Sequence, residues 1–172
     1  MNTVSFPLVA ETISADGFAP FGELIEVSGD PTTMINAGRC KRYTDMAKFD
    51  LVDGRLGLSL FDSDICALPV RCDLLERHPL GSQCFVPMGG SSYIVVVAED
   101  DAGTPHNSRA FVASSNQAVN IGRNIWHGVL SPISGSGLFA VLDRIGPGAN
   151  LEEVTLKEPL QIMPTPGWNR AS

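Results

Sequence analysis

The sequence lacks the features that mark disulfide-stabilised, secreted or membrane-spanning proteins. Its four cysteines include no C-x-x-C pair, which favours reduced thiols. Its longer apolar runs, such as Ile94 to Ala98, are far shorter than the roughly 20 residues that a helix needs to span a bilayer. The segment Met1 to Ala10 carries no basic stretch followed by an apolar core, so no secretory signal is predicted. These absences predict a cytoplasmic protein with no membrane partner.

Positive charge is scarce as well. The chain has 12 Lys and Arg residues against 19 Asp and Glu residues, which gives a formal net charge of −7 and a pI near 4.8. Proteins bind nucleic-acid backbones with clustered basic side chains, whereas the longest basic cluster here is the short segment 39–42. We therefore expect no nucleic-acid partner. An anionic small molecule is still acceptable as a substrate, because a few arginines can set the local field of a pocket.

Helical periodicity is confined to the segment from Ser14 to Phe21, where Ser14 is suited to cap a short helix. The rest of the chain consists of short stretches rich in β-branched and aromatic residues, separated by turns of Gly, Pro and Asn. Strands are predicted at residues 56–61, 82–88, 93–98, 109–113, 118–121 and 137–145. No helix-length segments lie between them, which argues against a parallel sheet of βαβ units.

Length and composition complete the prediction of the fold. The 172 residues and the hydrophobic fraction of 44% are typical of one globular domain. We predict a single all-β domain over residues 1–172, built as a barrel or a jelly-roll sandwich with a short N-terminal helix. The tail after Pro159 contains Pro164 and Pro166 and is predicted to pack loosely.

The segment Glu76-Arg77-His78 is the first candidate for chemistry. Residues two apart on a strand share a face, so the Glu76 carboxylate and the His78 imidazole should lie side by side. Arg77 should point the opposite way, which favours an outward structural or interface role. Gln83 follows after a Pro79-Leu80-Gly81 bend, and His127 comes later in the chain. We select Glu76, His78, Gln83 and His127 as catalytic candidates.

This layout is similar to the two-motif plan of the cupin barrels, with Glu76 and Gln83 replacing the usual histidine and carboxylate. A closer match is the ureidoglycolate lyase family, which the sequence resembles from about residue 18 to residue 146. The matching strings are Ile35-Asn36-x-Gly38, Arg42-Tyr43-x-Asp45-x-Ala47, Leu75-Glu-Arg-His-Pro-Leu-Gly-Ser-Gln-Cys-Phe-Val-Pro-Met88, Arg123-Asn-Ile-Trp-His127 and Asp143-Arg144. The resemblance implies a cupin-like barrel, usually a homodimer, that splits ureidoglycolate into glyoxylate and urea late in allantoin degradation.

The chemistry of that substrate fits the candidate residues. Ureidoglycolate carries a hydroxyl and a urea nitrogen on one carbon beside a carboxylate, so a base must take the hydroxyl proton and an acid must protonate the leaving nitrogen. His78 and His127 are suited to both roles because imidazole titrates near neutrality. Their roles stay open, since Glu76 can fix the tautomer or shift the pKa of either ring. An alternative role for Glu76 is a buried ion pair with Arg42 or Arg144.

The substrate carboxylate needs a cation or several hydrogen-bond donors. Arg42 and Arg144 are candidates because a planar guanidinium can bind a carboxylate in a bidentate manner. Asn36 and Tyr43 accompany Arg42 in an early segment that could cross the barrel mouth or reach a partner's site. His106, which follows Pro105 in a polar segment, is interpreted as a solvated loop residue.

The sequence leaves more than one possibility for the cofactor and for the reaction class. The set Glu76, His78, Gln83 and His127 could bind a divalent metal, and the family resemblance suggests nickel or a similar ion. Two histidines are fewer than ordinary metal cupins provide, so a metal-free acid–base site is equally compatible with the sequence. The alternatives to a lyase are an amidohydrolase that releases ammonia from ureidoglycolate and a non-catalytic cupin that binds small carboxylates.

Overall fold

The computed structural model describes residues 7–168, which form short strands and one short helix. In chain order the elements are β1 Leu8–Thr12, α1 Ala15–Phe18, β2 Gly22–Ile25, β3 Thr33–Ile35, β4 Cys40–Arg42, β5 Arg55–Asp62, β6 Val70–Arg77, β7 Gln83–Pro87, β8 Tyr93–Asp101, β9 Thr104–Ala113, β10 Ala118–Ile121, β11 Trp126–His127, β12 Ser131–Pro132, β13 Leu138–Ile145 and β14 Glu152–Pro164. Each strand predicted from sequence corresponds to one of these.

The strands form two large sheets and a separate hairpin. One sheet has the order β11-β6-β14-β1-β9-β8-β12, and an additional pairing of β11 with β8 closes six of its strands into a ring. The second sheet has the order β2-β10-β7-β13-β5, and β3 pairs only with β4. The closed ring confirms the predicted all-β, cupin-like barrel.

The predicted N-terminal helix is present but spans a single turn. Ser14 has an extended backbone, and its Oγ accepts a hydrogen bond from the Gly17 N–H at 3.2 Å, as an N-cap does. The helix ends at Phe18, shortly before Pro20, which cannot continue a helical hydrogen-bond ladder. Phe18 is fully buried and packs edge-on against Phe111, so the helix anchors the chain to the sheet.

Two apolar clusters form the core. The first draws its strand residues from the closed ring and includes Leu75, Trp126 and Ile162. The second lies between the two large sheets and includes Phe85 from one and Phe111 from the other. The candidate catalytic side chains lie at the edge of this second cluster, because the His127 ring contacts Phe85 with a centroid separation of 6.5 Å.

The tail after Pro159 differs from the expectation. It continues β14 to Pro164, pairs with β6 and β1, and buries Ile162 completely. Pro159 lies where the ladder shifts register between Thr155 and Leu160, and a strand irregularity of this kind accommodates a proline. Pro164 is the last residue of β14 and Pro166 follows the strand, so neither interrupts it. Within the described residues, no helix has the length and apolar character needed to cross a membrane.

Candidate active site

Strand pairing brings three predicted site residues together. Glu76 on β6 and His127 on β11 are direct partners in the antiparallel ladder. Glu76 Oε1 lies 3.9 Å from His78 Nε2 and 4.0 Å from His127 Nδ1. The two imidazole rings have a centroid separation of 5.3 Å. We call Glu76, His78 and His127 the catalytic triad candidate.

Arg77 points away from this triad, as the alternation of a strand predicts. Its guanidinium lies 4.3 Å above the Trp126 ring and forms ion pairs with Asp100 at 2.8 Å and Glu152 at 2.6 Å. Its side chain is only 14% exposed, so it covers the end of the ring core and does not project outward. Trp126 belongs to that core, where its indole N–H donates to Asp100.

His127 is held as a neutral acceptor. Its side chain is buried, and burial lowers its pKa to about 4, with a smaller opposing effect from the backbone carbonyl of Gly128. Nδ1 lies 3.1 Å from that carbonyl oxygen, which assigns the proton to Nδ1. Nε2 is buried and has no protein partner. The ring therefore offers a lone pair at neutral pH.

His78 has the same bonding pattern with more access to solvent. Its Nδ1 lies 2.7 Å from the backbone carbonyl oxygen of Asn150, and the amide oxygen of Asn150 accepts a hydrogen bond from the Leu80 N–H. This double contact fixes the loop that holds the ring. His78 Nε2 is free of protein hydrogen bonds and faces Glu76.

The Glu76 carboxylate is half-buried, and its pKa is raised mainly by burial. The charge of His78 lowers this pKa and that of Glu153 raises it, both to a smaller extent. A carboxylate with a raised pKa beside two imidazoles can exchange a proton with them.

Gln83 is the fourth predicted residue, and the structure pairs it with a residue that the sequence predictions omitted. Its Nε2 lies 3.5 Å from Asp143 Oδ2. Gln83 Oε1 and Asp143 Oδ1 are both buried without a partner. Alternation along β13 could have identified Asp143, because the buried Phe139 and Val141 define the inward face that Asp143 shares.

A cleft of about 460 Å³ opens beside the triad. Glu76 lines it together with Phe85 and Val129, and Phe61 and Asp62 from β5 form part of its rim. Phe61 packs edge-on against Phe85. The cleft is large enough for a small carboxylic acid, and the carboxylates of Glu76 and Asp62 give its lining a negative charge.

Arg144 does not face this site, which corrects the prediction that it binds substrate. It lies on the opposite side of β13 from Asp143, and its guanidinium donates to the backbone carbonyls of Val52, Asp53 and Pro147. The guanidinium is therefore used to hold two loops in place. Arg144 is 7% exposed, and we assign it a structural role.

Asn36, Arg42 and Tyr43 also lie outside the triad of the same chain. Asn36 starts the turn of the β3–β4 hairpin, and Arg42 ends β4 with an exposed side chain. The Tyr43 hydroxyl donates to the Gly29 carbonyl, and its ring lines a different pocket beside Val86. No contact joins these three residues to Glu76, His78 or His127 in the described structure.

The other arginines have partners. In the described chain, Arg42 alone has a guanidinium without a hydrogen bond or ion pair. The rest pair with carboxylates (Arg71, Arg77, Arg109, Arg123) or donate to backbone carbonyls (Arg39, Arg55, Arg144). His106, interpreted as a loop residue, lies on β9 and contacts Glu99 at the surface.

The triad fits a divalent metal ion. Glu76, His78 and His127 each offer one ligand atom, and these atoms lie within 4.8 Å of one another. Each ring already directs one nitrogen to a backbone carbonyl, the arrangement that orients histidine ligands in metal sites. Two imidazoles and a carboxylate suit borderline divalent ions.

Comparison with known proteins agrees with the resemblance in the sequence. A family model described as ureidoglycolate lyase matches residues 5–163. A protein of Rhodobacter capsulatus named ureidoglycolate lyase is 53% identical over 156 residues, covering 90% of this chain and 97% of that relative. Ureidoglycolate lyase 2 of Rhizobium meliloti is 41% identical over 158 residues, covering 91% of this chain and 97% of the relative. Ureidoglycolate lyase of a Chelativorans species is 41% identical over 157 residues, covering 90% and 95%.

Proposed function

The chain belongs to the ureidoglycolate lyase family, and on this basis we propose that it eliminates urea from ureidoglycolate and leaves glyoxylate. The observation that carries the proposal is the pair of buried, unpartnered imidazole Nε2 atoms beside a carboxylate of raised pKa. An elimination of this kind needs one proton acceptor and one proton donor, and no nucleophile.

His127 is the base in this proposal. The ring is neutral at pH 7 because burial lowers its pKa, and the hydrogen bond of Nδ1 leaves the Nε2 lone pair available. Nε2 takes the proton of the substrate hydroxyl as the carbonyl of glyoxylate forms and the bond from carbon to the urea nitrogen breaks. The aromatic walls formed by Phe61 and Phe85 limit the access of water to this step.

His78 is the acid. In its protonated form the ring donates from Nδ1 to the Asn150 carbonyl and from Nε2 to the departing nitrogen. The Glu76 carboxylate, 3.9 Å from Nε2 and 4.0 Å from His127 Nδ1, stabilises the positive charge before the transfer and afterwards passes a proton from the protonated His127 ring to His78, which restores both rings. The His78 side chain is the more exposed of the two, at 16% against 2% for His127.

Gln83 is assigned to substrate orientation. Its amide group donates to Asp143, so the free Oε1 is directed as an acceptor toward the urea N–H groups. An acceptor at this position favours a ligand that carries amide hydrogens. In this proposal, the carboxylate of the substrate is bound by Arg42, Asn36 and Tyr43.

As an alternative to this acid–base form, a divalent ion such as nickel would be held by Glu76, His78 and His127, with Gln83 Oε1 as a further oxygen ligand, and would supply Lewis-acid stabilisation of the alkoxide. We propose further that the protein works in the cytoplasm as a homodimer. Metal occupancy is measured by elemental analysis, and a thermal shift with added nickel that disappears in Glu76→Gln would support this ligand set.

Product analysis tests the proposed reaction. Purified protein incubated with ureidoglycolate should release urea and glyoxylate in equal amounts. Ammonia in step with glyoxylate, without urea, would show an amidohydrolase. Binding of glyoxylate without any turnover would show a carboxylate-binding protein instead.

A further inference from the structure

The candidate site lacks a cation for the substrate carboxylate. Its ionisable side chains are the acidic groups Glu76, Asp143 and Asp62 and the two histidines, of which His127 is neutral. A carboxylate that enters an acidic cleft is repelled unless a positive group accompanies it. Among residues 7–168, each arginine other than Arg42 is already bonded elsewhere in its own chain.

Arg42 lies on an exposed basic hairpin. The hairpin comprises β3, β4 and the turn between them, with Arg39 and Lys41 as its other basic residues. Asn36 and Ala37 adopt positive φ angles of 54° and 57°. Two successive residues of this kind form a tight turn, so the hairpin has a defined structure. Arg42 is the last residue of β4, and no contact within its own chain explains why its guanidinium is unpaired on this hairpin.

An uncovered apolar surface lies next to the cleft. β5 is an edge strand of the five-stranded sheet, and it exposes Leu58 and Leu60 by 68% and 65%. Leu56 shares their face by alternation, whereas Phe61 and the end of the strand reach the cleft rim. An exposed edge with adjacent leucines is a pairing surface for another chain.

We propose that a second copy of the chain docks on this β5 surface and that its Arg42 enters the cleft to bind the substrate carboxylate. The basic hairpin of one copy complements the acidic cleft of the other, and a two-fold arrangement satisfies both sites at once. The partner contributes the cation that each site lacks. This inference rests on the proposed function, since it assigns the carboxylate of the same substrate.

Substitution of Arg42 gives the first test. Arg42→Ala removes no hydrogen bond or ion pair within the described chain, so folding should be unchanged. We expect KM to rise roughly 10- to 100-fold, the effect of losing a charge-assisted hydrogen-bonded pair, with a smaller change in kcat. Lys41→Ala is the matched control, because it removes one positive charge from the opposite face of the same strand and should leave KM unchanged. An unaltered KM in Arg42→Ala would overturn the proposal.

Hybrid dimers test whether Arg42 acts between copies. Arg42→Ala and His127→Gln chains with different tags are co-expressed, and hybrids are isolated through both tags. One of the two sites then has an intact His127 and receives an intact Arg42, so about half of the wild-type kcat/KM should return. Hybrids whose kcat/KM stays at the level of the Arg42→Ala parent would contradict the proposal, because an Arg42 that acts within its own chain cannot be complemented in this way.

Two readouts separate this inference from the proposed reaction. Leu58→Asp should halve the mass measured by light scattering and weaken glyoxylate binding measured by calorimetry, although Leu58 lies outside the cleft. Val9→Asp, at a 49% exposed position of the other sheet, is the control and should change neither. If the wild type releases no urea but these binding effects occur, the reaction is wrong and the shared site stands. If instead the protein were a monomer with full lyase activity, the proposed reaction would stand and the shared site would be wrong.

Discussion

At the scale of single residues, the site depends on two histidines whose surroundings differ. His127 is enclosed and kept neutral, whereas His78 keeps some exposure and faces a carboxylate. The chain thus gives chemically identical side chains distinct environments. Such separation is how one pair of groups can serve as base and acid at the same pH.

Replacement of either histidine should abolish most turnover. We expect kcat to fall about 10²- to 10⁴-fold in His127→Gln and in His78→Ala, the usual contribution of a positioned acid or base. His106→Ala is the control, since His106 contacts only Glu99 at the surface, and it should retain full activity. Steady-state kinetics with a urea assay measures the effect, and thermal unfolding checks the fold. Full kcat in both site variants would remove the acid–base roles.

At the scale of strands, the sequence predicted the type of each secondary-structure element better than its boundaries. Short runs rich in apolar and β-branched residues gave the positions of β5, β8 and β13, but they did not show which face is buried: β5 exposes Leu58 and Leu60, and residues 93–98 of β8 are buried on both faces. β14 escaped prediction because Lys157, Glu158 and Pro159 lie in a register shift and interrupt its pattern. Short strands such as β11 have no local pattern, since two residues cannot display a period, and their pairing depends on contacts distant in the sequence.

The alternation of side chains along a strand also determined how well the site was predicted. The positions of Glu76, Arg77 and His78 followed from alternation within one segment, and the structure agrees with it. The same rule applied to β13 would have selected Asp143 in place of Arg144. The hairpin that carries Arg42 could not be predicted from the sequence, because β3 and β4 have three residues each and are too short to display a period.

The closing part of β14 provides a stability test at this scale. Ile162 is fully buried between β6 and β1, so Ile162→Ala should lower the free energy of unfolding by about 2 to 5 kcal/mol. Met163, its 36% exposed neighbour, is the control, and Met163→Ala should cost less than about 1 kcal/mol. Urea denaturation followed by fluorescence measures both. Equal small losses would mean that the tail packs loosely in solution.

At the scale of the whole molecule, the buried histidine links the site to global stability. Burial lowers the pKa of His127 from 6.5 to about 4, so the unfolded chain binds a proton between these values that the folded chain does not. The free energy of unfolding therefore rises with pH across this window, and the contribution of His127 reaches its full value above about pH 6.5. The full effect of His127 is about 3 kcal/mol. Glu76, whose pKa is raised, acts in the opposite direction, because its stabilisation is lost as pH rises through its folded pKa.

Comparison of the wild type with His127→Gln isolates this linkage. Between pH 7.5 and pH 4.5 the wild type should lose about 2 to 3 kcal/mol more unfolding free energy than the variant, because only the wild type has this buried imidazole to protonate. Both proteins retain Glu76 and the surface carboxylates, so their shared acid sensitivity largely cancels in the difference. Denaturant unfolding at a series of pH values provides the measurement. Parallel pH profiles would mean that His127 is solvated or charged in the folded protein, and the neutral base assigned to it would then be untenable.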